Sequence, residues 1–174
     1  TVDFVVIREN TEGEYSRQGG FFHPDEEDGF ALQTGVFTRK GCTRVIEYAF
    51  DLAEQRKTAG SAGRVTNCTK SNALNYSMVY WDRIYAEVAE RHPEIERDMA
   101  LVDALTMWFV KNPDYFDVVV ASNLFGDIIT DLGAMLQGGM GFAAGGNVNP
   151  EGDYPSMFEP IHGSAPKYTG QSIV

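Results

Sequence analysis

Asp127 and Asp131 stand one helical turn apart, so a helix puts both carboxylates on one face, while Ile128, Ile129, Leu132, Met135 and Leu136 mark its apolar side. Two neighbouring carboxylates repel unless a cation lies between them. Their hard oxygens suit Mg²⁺ or Mn²⁺, and Asp103 offers a third from another strand end. The same spacing also serves a helix's first turn, where acidic side chains complement the dipole. Lys70 is a base if desolvated and a surface charge if not. Arg8 presents a planar fork to a carboxylate, or pairs with Glu9 or Glu12; Tyr15 offers a phenol donor, or anchors its loop. In His162-Gly163-Ser164-Ala165-Pro166 the small residues let backbone N–H groups approach a phosphate or nucleotide, or form a plain turn. Neither G-x-G-x-x-G, a P-loop nor a G-x-S-x-G elbow occurs.

These residues need strands and helices to position them. Short β-branched runs at 4–7, 64–67, 99–102 and 118–121 are separated by stretches with apolar residues three and four apart, which predicts an α/β layer fold with a mainly parallel sheet. Arg8, Lys70, Asp103 and Asp127 then follow strands, at the carboxyl edge where open α/β sheets build their crevices. The periodicity predicts helices over about 43–56, 71–91 and 104–111, and a fourth from just past Asn123, an N-cap type, to about 137, closed by Gly138-Gly139. Residues 9–29 carry scattered glycines, paired Phe21 and Phe22 and an acidic run, and read as a protruding loop or ribbon. Beyond Leu136 the composition shifts to Gly, Asn and Pro. A boundary is expected there, with a domain over residues 1–136 and a segment over 137–174 that lacks a core of its own.

The 174 residues carry 25 acidic against 14 basic side chains, a formal charge of −11, with no basic block. Nucleic acid and anionic membranes are therefore poor partners. No apolar run approaches the roughly 20 residues that span a bilayer. Cys42 and Cys68 lack C-x-x-C spacing, so unpaired thiols in a reducing cytoplasm are expected. Both ends read as cut, which suggests a piece of a longer chain.

The ordered motifs are 6–15 (Val-Ile-Arg-Glu-Asn-Thr-Glu-Gly-Glu-Tyr), Thr69-Lys70-Ser71-Asn72, Leu101-Val102-Asp103, 122–131 (Ser-Asn-Leu-Phe-Gly-Asp-Ile-Ile-Thr-Asp) and 159–166 (Glu-Pro-Ile-His-Gly-Ser-Ala-Pro). Together they resemble the metal-dependent β-decarboxylating dehydrogenases of isocitrate, 3-isopropylmalate, tartrate and D-malate, across essentially the whole chain. The resemblance implies the isocitrate/isopropylmalate dehydrogenase-like fold with a dimerisation ribbon. It implies that Arg8 holds a substrate carboxylate, Tyr15 supplies a proton at carbon and Lys70 takes the hydroxyl proton. Asp127 and Asp131 of one subunit would hold Mg²⁺ or Mn²⁺ with Asp103 of a homodimer partner, so that active sites are shared. Asn72 would meet the nicotinamide carboxamide, Glu159 would lie on the nicotinamide side, and His162, Gly163, Ser164, Ala165 and Pro166 would wrap the adenosine.

Family members that use NAD usually follow Ala-Pro with aspartate. Here Lys167 and Tyr168 follow, the pair of NADP-using isocitrate dehydrogenases, so NADP is expected over NAD. The substrate is expected to be a small 2-hydroxy acid, of the tartrate or D-malate type before isopropylmalate, with isocitrate or homoisocitrate as the alternative. A non-catalytic subunit of the same fold is the rival; it should show broken motifs, and these are intact. By the same resemblance parts at both ends are missing, and the piece alone is expected to be inactive.

Overall fold

The computed structural model describes residues 2–161 and 166–171. The chain forms two compact units, Thr1–Ile128 and Ile129–Val174. The division falls inside the fourth helix, whereas the change of composition falls at its end.

The first unit opens with β1 (Val5–Arg8), β2 (Gly13–Phe22) and β3 (Phe30–Val36), followed by α1 (Arg39–Thr58). Then come β4 (Arg64–Thr69), α2 (Ser77–Ala89), β5 (Glu96–Leu101), α3 (Val102–Lys111), β6 (Val118–Ala121) and the start of α4 (Asn123–Leu136). The expected parallel sheet is present as four strands in the order β1-β6-β4-β5. The step from β4 to β5 and the return from β5 to β6 run in opposite directions across it. Right-handed connections therefore send α1 and α2 to one face and α3 to the other. All four residues of β6 are buried, as a central strand covered on both faces must be.

The core is apolar and aromatic. Ile46, Ala49 and Phe50 of α1 and Met78, Trp81 and Ile84 of α2 are sealed on one side, and Leu105 and Phe109 of α3 are equally buried. Phe4 sets its ring 4.7 Å from that of Phe109. Two polar residues inside it fasten α2 to β4: Trp81 Nε1 donates to Asn67 Oδ1 at 2.6 Å, and Asn67 Nδ2 donates to Asp82 at 2.8 Å. At the amino edge the buried Asp117 accepts from Arg56 Nε at 2.5 Å and from Gly63 N at 2.7 Å.

Element ends depart from the periodicity for local reasons. α1 starts earlier than expected because Thr38 caps it, its hydroxyl accepting from Gly41 N at 3.0 Å; that first turn carries no apolar stripe to reveal it. α2 starts later, since residues 71–76 fold as turns in which Ala73 N and Leu74 N both donate to Lys70 O. A ribbon is present but extends beyond residues 9–29, with β2 antiparallel to β3, Phe22 opposite Phe30 and their rings stacked at 4.8 Å. Gly19 there has φ +152°, and a Cβ would lie 2.2 Å from Leu32 O, so only glycine fits.

In the second unit α4 ends at Gly138 and Gly139. Gly139 N donates to Ala134 O and Gly138 N to Met135 O, with φ of +115° and +118°, a Schellman closure. β7 (Ala144–Asn147) then pairs antiparallel with β8 (Met157–Pro160), and a 3-10 turn covers Pro166–Tyr168. On α4 the expected apolar side is only partly buried: Ile129 is sealed, whereas Ile128 and Met135 are exposed.

Candidate active site

Strand register decides which polar residues meet. Arg8, the last residue of β1, is paired with Ala121, the last of β6, so Arg8 lies beside the first turn of α4. Its Nη1 is 2.8 Å from Asp127 Oδ1. Its Nε donates to Asn123 O at 3.0 Å, and Nη2 donates to Asn123 Oδ1 at 2.8 Å. The Tyr15 hydroxyl, from β2, donates to the other Asp127 oxygen at 3.0 Å. That hydrogen bond from phenol to carboxylate holds the Tyr15 hydroxyl above its ordinary value, burial adding to it. A cation, a phenol and a carboxylate thus share one patch, with the Arg8 guanidinium 5.7 Å from the Tyr15 ring centre.

On the other side of β6, β4 and β5 are in register from Arg64/Glu96 to Thr69/Leu101, which brings Lys70 beside the start of α3. Lys70 Nζ donates to Asp103 Oδ1 at 2.6 Å. The ammonium hydrogen bond lowers the Asp103 carboxyl below the usual range. The four residues that follow strands therefore form two ion pairs, Arg8 with Asp127 and Lys70 with Asp103. Arg8 pairs with neither Glu9 nor Glu12. Glu9 is buried and accepts from Thr11 N and Glu12 N, both at 2.9 Å, and from Thr11 Oγ1 at 2.5 Å. Glu12 instead accepts from Thr38 N at 3.1 Å.

Asp131 follows Asp127 by one turn on α4 and is exposed. Asn72 lies exposed in the turns after β4, and Glu159 lies exposed on β8. Lys167 sits 5.3 Å from the ring centre of Tyr168, both solvent-facing. His162, Gly163, Ser164 and Ala165 lie outside the described residues; Pro166 opens the 3-10 turn. Asn123 is read from sequence as a cap but belongs to α4 itself. Its side-chain carbonyl serves Arg8 and its Nδ2 donates to Glu12 O at 3.0 Å. The cap reading missed both bonds of Asn123, because they reach Arg8 and Glu12, groups that only the fold brings near; the local bonds of Glu9 to Thr11 and Glu12 were missed because nothing in the sequence shows that Glu9 is buried.

Among the described residues the one grouping of three metal-capable side chains is Asp51, Glu54 and His92. There the buried His92 ring is already held by Glu54 at 2.8 Å and Glu47 at 3.3 Å. Cys42 and Cys68 are free and buried; burial pushes each thiol up to about 12, which leaves them inert at neutral pH. No helix among the described residues is long and apolar enough to cross a membrane.

An arginine, a phenol, a lysine and carboxylates thus gather near the carboxyl edge of a parallel α/β sheet. The chain belongs to the isocitrate/isopropylmalate dehydrogenase family, whose model matches residues 1–174. It is 49% identical over 171 residues to a "Probable tartrate dehydrogenase/decarboxylase" of Bacillus subtilis (strain 168), covering 98% of this chain and 47% of that one. It is 49% identical over 172 residues to a "D-malate dehydrogenase [decarboxylating]" of Escherichia coli (strain K12), covering 99% and 46%. With a "3-isopropylmalate dehydrogenase" of Thermobifida fusca (strain YX) identity is 50% over 170 residues, covering 98% and 47%. The crystal structure of isocitrate dehydrogenase from Methylococcus capsulatus superposes with a TM-score of 0.85 at 42% identity, over 95% of this chain and 47% of that one. The chain spans about half the length of the curated relatives it matches.

Proposed function

We propose that this chain is part of an enzyme that oxidises a 2-hydroxy dicarboxylic acid with NAD(P) and releases CO₂, the substrate being of the tartrate or D-malate type. The observation that carries the reading is the meeting of Arg8, Tyr15 and Asp127 at the carboxyl edge of the sheet. The names of the tartrate and D-malate relatives support it. Isocitrate is the second reading, supported by the isocitrate dehydrogenase neighbour and by the Lys167-Tyr168 pair.

Arg8 then holds a substrate carboxylate through its planar fork, Lys70 takes the hydroxyl proton, and Tyr15 returns a proton to carbon. Asp127 and Asp131, with Asp103 of the partner subunit, are all hard-oxygen donors and fit Mg²⁺ or Mn²⁺. A cation there, when bound, draws electron density from the substrate oxygen and stabilises the charge left by loss of CO₂. Asn72 meets the nicotinamide carboxamide and Glu159 its neighbourhood. His162, Gly163, Ser164, Ala165 and Pro166 enclose the adenosine, and Lys167 with Tyr168 binds a 2′-phosphate, which favours NADP over NAD.

The shared site needs a homodimer. Exposed Met107, Trp108 and Val110 on α3, and Phe21, Phe22, Phe30 and Leu32 on the ribbon, suit an isologous contact. In this reading residues 1–136 form the small, dimer-forming domain and 137–174 a returning segment of a larger domain. In the same reading the 174 residues alone are inactive, and the full-length protein works in the cytoplasm.

The test is turnover of D-malate, tartrate, 3-isopropylmalate and isocitrate by the full-length protein with Mg²⁺ or Mn²⁺ and either coenzyme. We expect D-malate or tartrate with NADP to give the highest kcat/KM, and Lys167→Ala to cut the NADP preference about tenfold. No turnover of any of the four would favour a non-catalytic subunit. A preference for NAD that survives Lys167→Ala unchanged would show that this lysine reads no phosphate.

A further inference from the structure

We infer that the first turn of α4 is a mould for Arg8, in which Asn123 and Gly126 set the plane and height of the guanidinium and so set the affinity for the substrate carboxylate. The inference rests on the reading of Arg8 as the carboxylate holder. Both residues are buried, and their part is to position Arg8, not to touch substrate.

The Asn123 amide is committed at both ends. Its Oδ1 accepts from Arg8 Nη2 at 2.8 Å and from Nε at 3.3 Å, while its backbone carbonyl accepts from the same Nε at 3.0 Å. Accepting two N–H groups from one guanidinium edge fixes the rotation of that plane. The Nδ2 end donates to Glu12 O at 3.0 Å, so flipping the amide would break this bond and point N–H groups at a cation. Glu12 is itself held in place, because the buried Glu9 carboxylate accepts from Glu12 N and Thr11 N. Arg44, 3.6 Å from Glu9, completes the series. A flexible arginine is thereby joined through one amide to a buried loop anchor.

Gly126 supplies the seat. A Cβ there would lie 2.4 Å from Arg8 Cγ, 2.8 Å from Cβ and 2.9 Å from Cδ. Those are stem atoms close to the backbone of β1, which cannot swing aside as a side-chain tip can. Any side chain at 126 lifts Arg8 off the helix and off Asn123. With the Nε edge on Asn123 and one Nη1 contact on Asp127, the terminal nitrogens keep N–H groups for a carboxylate arriving from solvent.

Double-mutant cycles in the full-length protein separate positioning from plain support of the fold. Asn123→Ala and Gly126→Ala are made in the native sequence and in an Arg8→Ala background, and kcat, KM for the hydroxy acid and the Kd of the coenzyme are measured. The expected result is a KM raised about tenfold by each variant, with coenzyme Kd held within about twofold, and a further change under about twofold once Arg8 is absent. Should Asn123→Ala fail to fold, Gly126→Ala completes the same cycle. If Arg8→Ala raises KM but the second substitution adds its full effect on top, or if coenzyme affinity falls in parallel, the mould is overturned while Arg8 keeps its role. An unchanged KM in Arg8→Ala alone would overturn the carboxylate reading first, and the mould with it.

Discussion

Arg8 and Lys70 leave the same edge of the same sheet with β6 between them, yet their surroundings differ in kind. Arg8 is set among buried Asn123, buried Glu9 and the bare backbone of Gly126. Among the described residues the Lys70 ammonium has one partner, Asp103, whose side chain is 64% exposed. The first arrangement is complete within a single chain and holds its cation in one geometry. The second is an open pair on the rim, suited to meet groups that this chain does not itself supply. Under the dimeric reading, that is how each half of a shared site is made: a rigid receptor on one subunit and a lent base and metal ligand on the other.

The comparison breaks first at Asp127, which belongs to the built side. Asp127→Asn in the full-length protein should lower metal-dependent kcat by at least about a thousandfold, because it removes charge from the proposed ligand set without disturbing sealed Ile129. Near-normal activity at low Mg²⁺ or Mn²⁺ would show that the cation is held elsewhere. On the lent side, Lys70→Met should lower kcat by about 10²- to 10⁴-fold as the general base is lost. Its thermal midpoint should stay where it was, because an open pair adds little to folding. A marked drop in midpoint would mean that the pair is structural and that the contrast between the two sides is false.

Stability sharpens the comparison from the opposite direction. Glu9→Ala leaves Thr11 N and Glu12 N without their buried acceptor and should destabilise the first unit by about 2–4 kcal/mol in denaturant unfolding. Asp103→Ala, on the lent side, should not shift the curve.

His92 is the smallest test and a control for both sides. Burial disfavours its charged ring, but Glu54 and Glu47 outweigh that and raise its pKa. Asp51 stands within the same cluster, and Arg91 bonds Glu47. The stabilising charge is therefore fully present below the unfolded value of about 6.5 and is lost as pH rises through the higher folded value. Tm should decline over that interval in the native sequence and be flat there in His92→Gln. Substrate KM should not follow it.

What was legible in the sequence divides along the same line. The α/β class, the parallel sheet and the ribbon follow from apolar runs and glycine placement, because strand and helix periods are local properties. The positions of Arg8, Lys70 and Asp103 at strand ends were equally legible, since each stands just past a hydrophobic run, as was that of Asp127 in the helix after β6. Their pairing was not. Which cation meets which carboxylate depends on the register of β1 with β6 and of β4 with β5, and register is fixed across long separations in the chain. Thr38 as the true start of α1 was hidden because a cap shows no hydrophobic stripe. The exposed Ile128 and Met135 defied the apolar reading of α4 because periodicity shows that a face is apolar, not what covers it.

The strand order carries a consequence for how the chain is made. Of the four strands of this sheet β1 is synthesised before the others and β6 after them, yet β6 lies between β1 and β4. Until residues 118–121 emerge, the nascent sheet is split, with the β-branched edge of β1 and one edge of β4 both unpaired and open to strand exchange with a neighbour. Insertion of β6 closes both edges at once, and the first turn of α4 follows directly behind it. The arginine at the end of β1 thus waits for β6 and the first turn of α4 before its surroundings exist, so that chains stalled between the two expose sticky edges but no formed site.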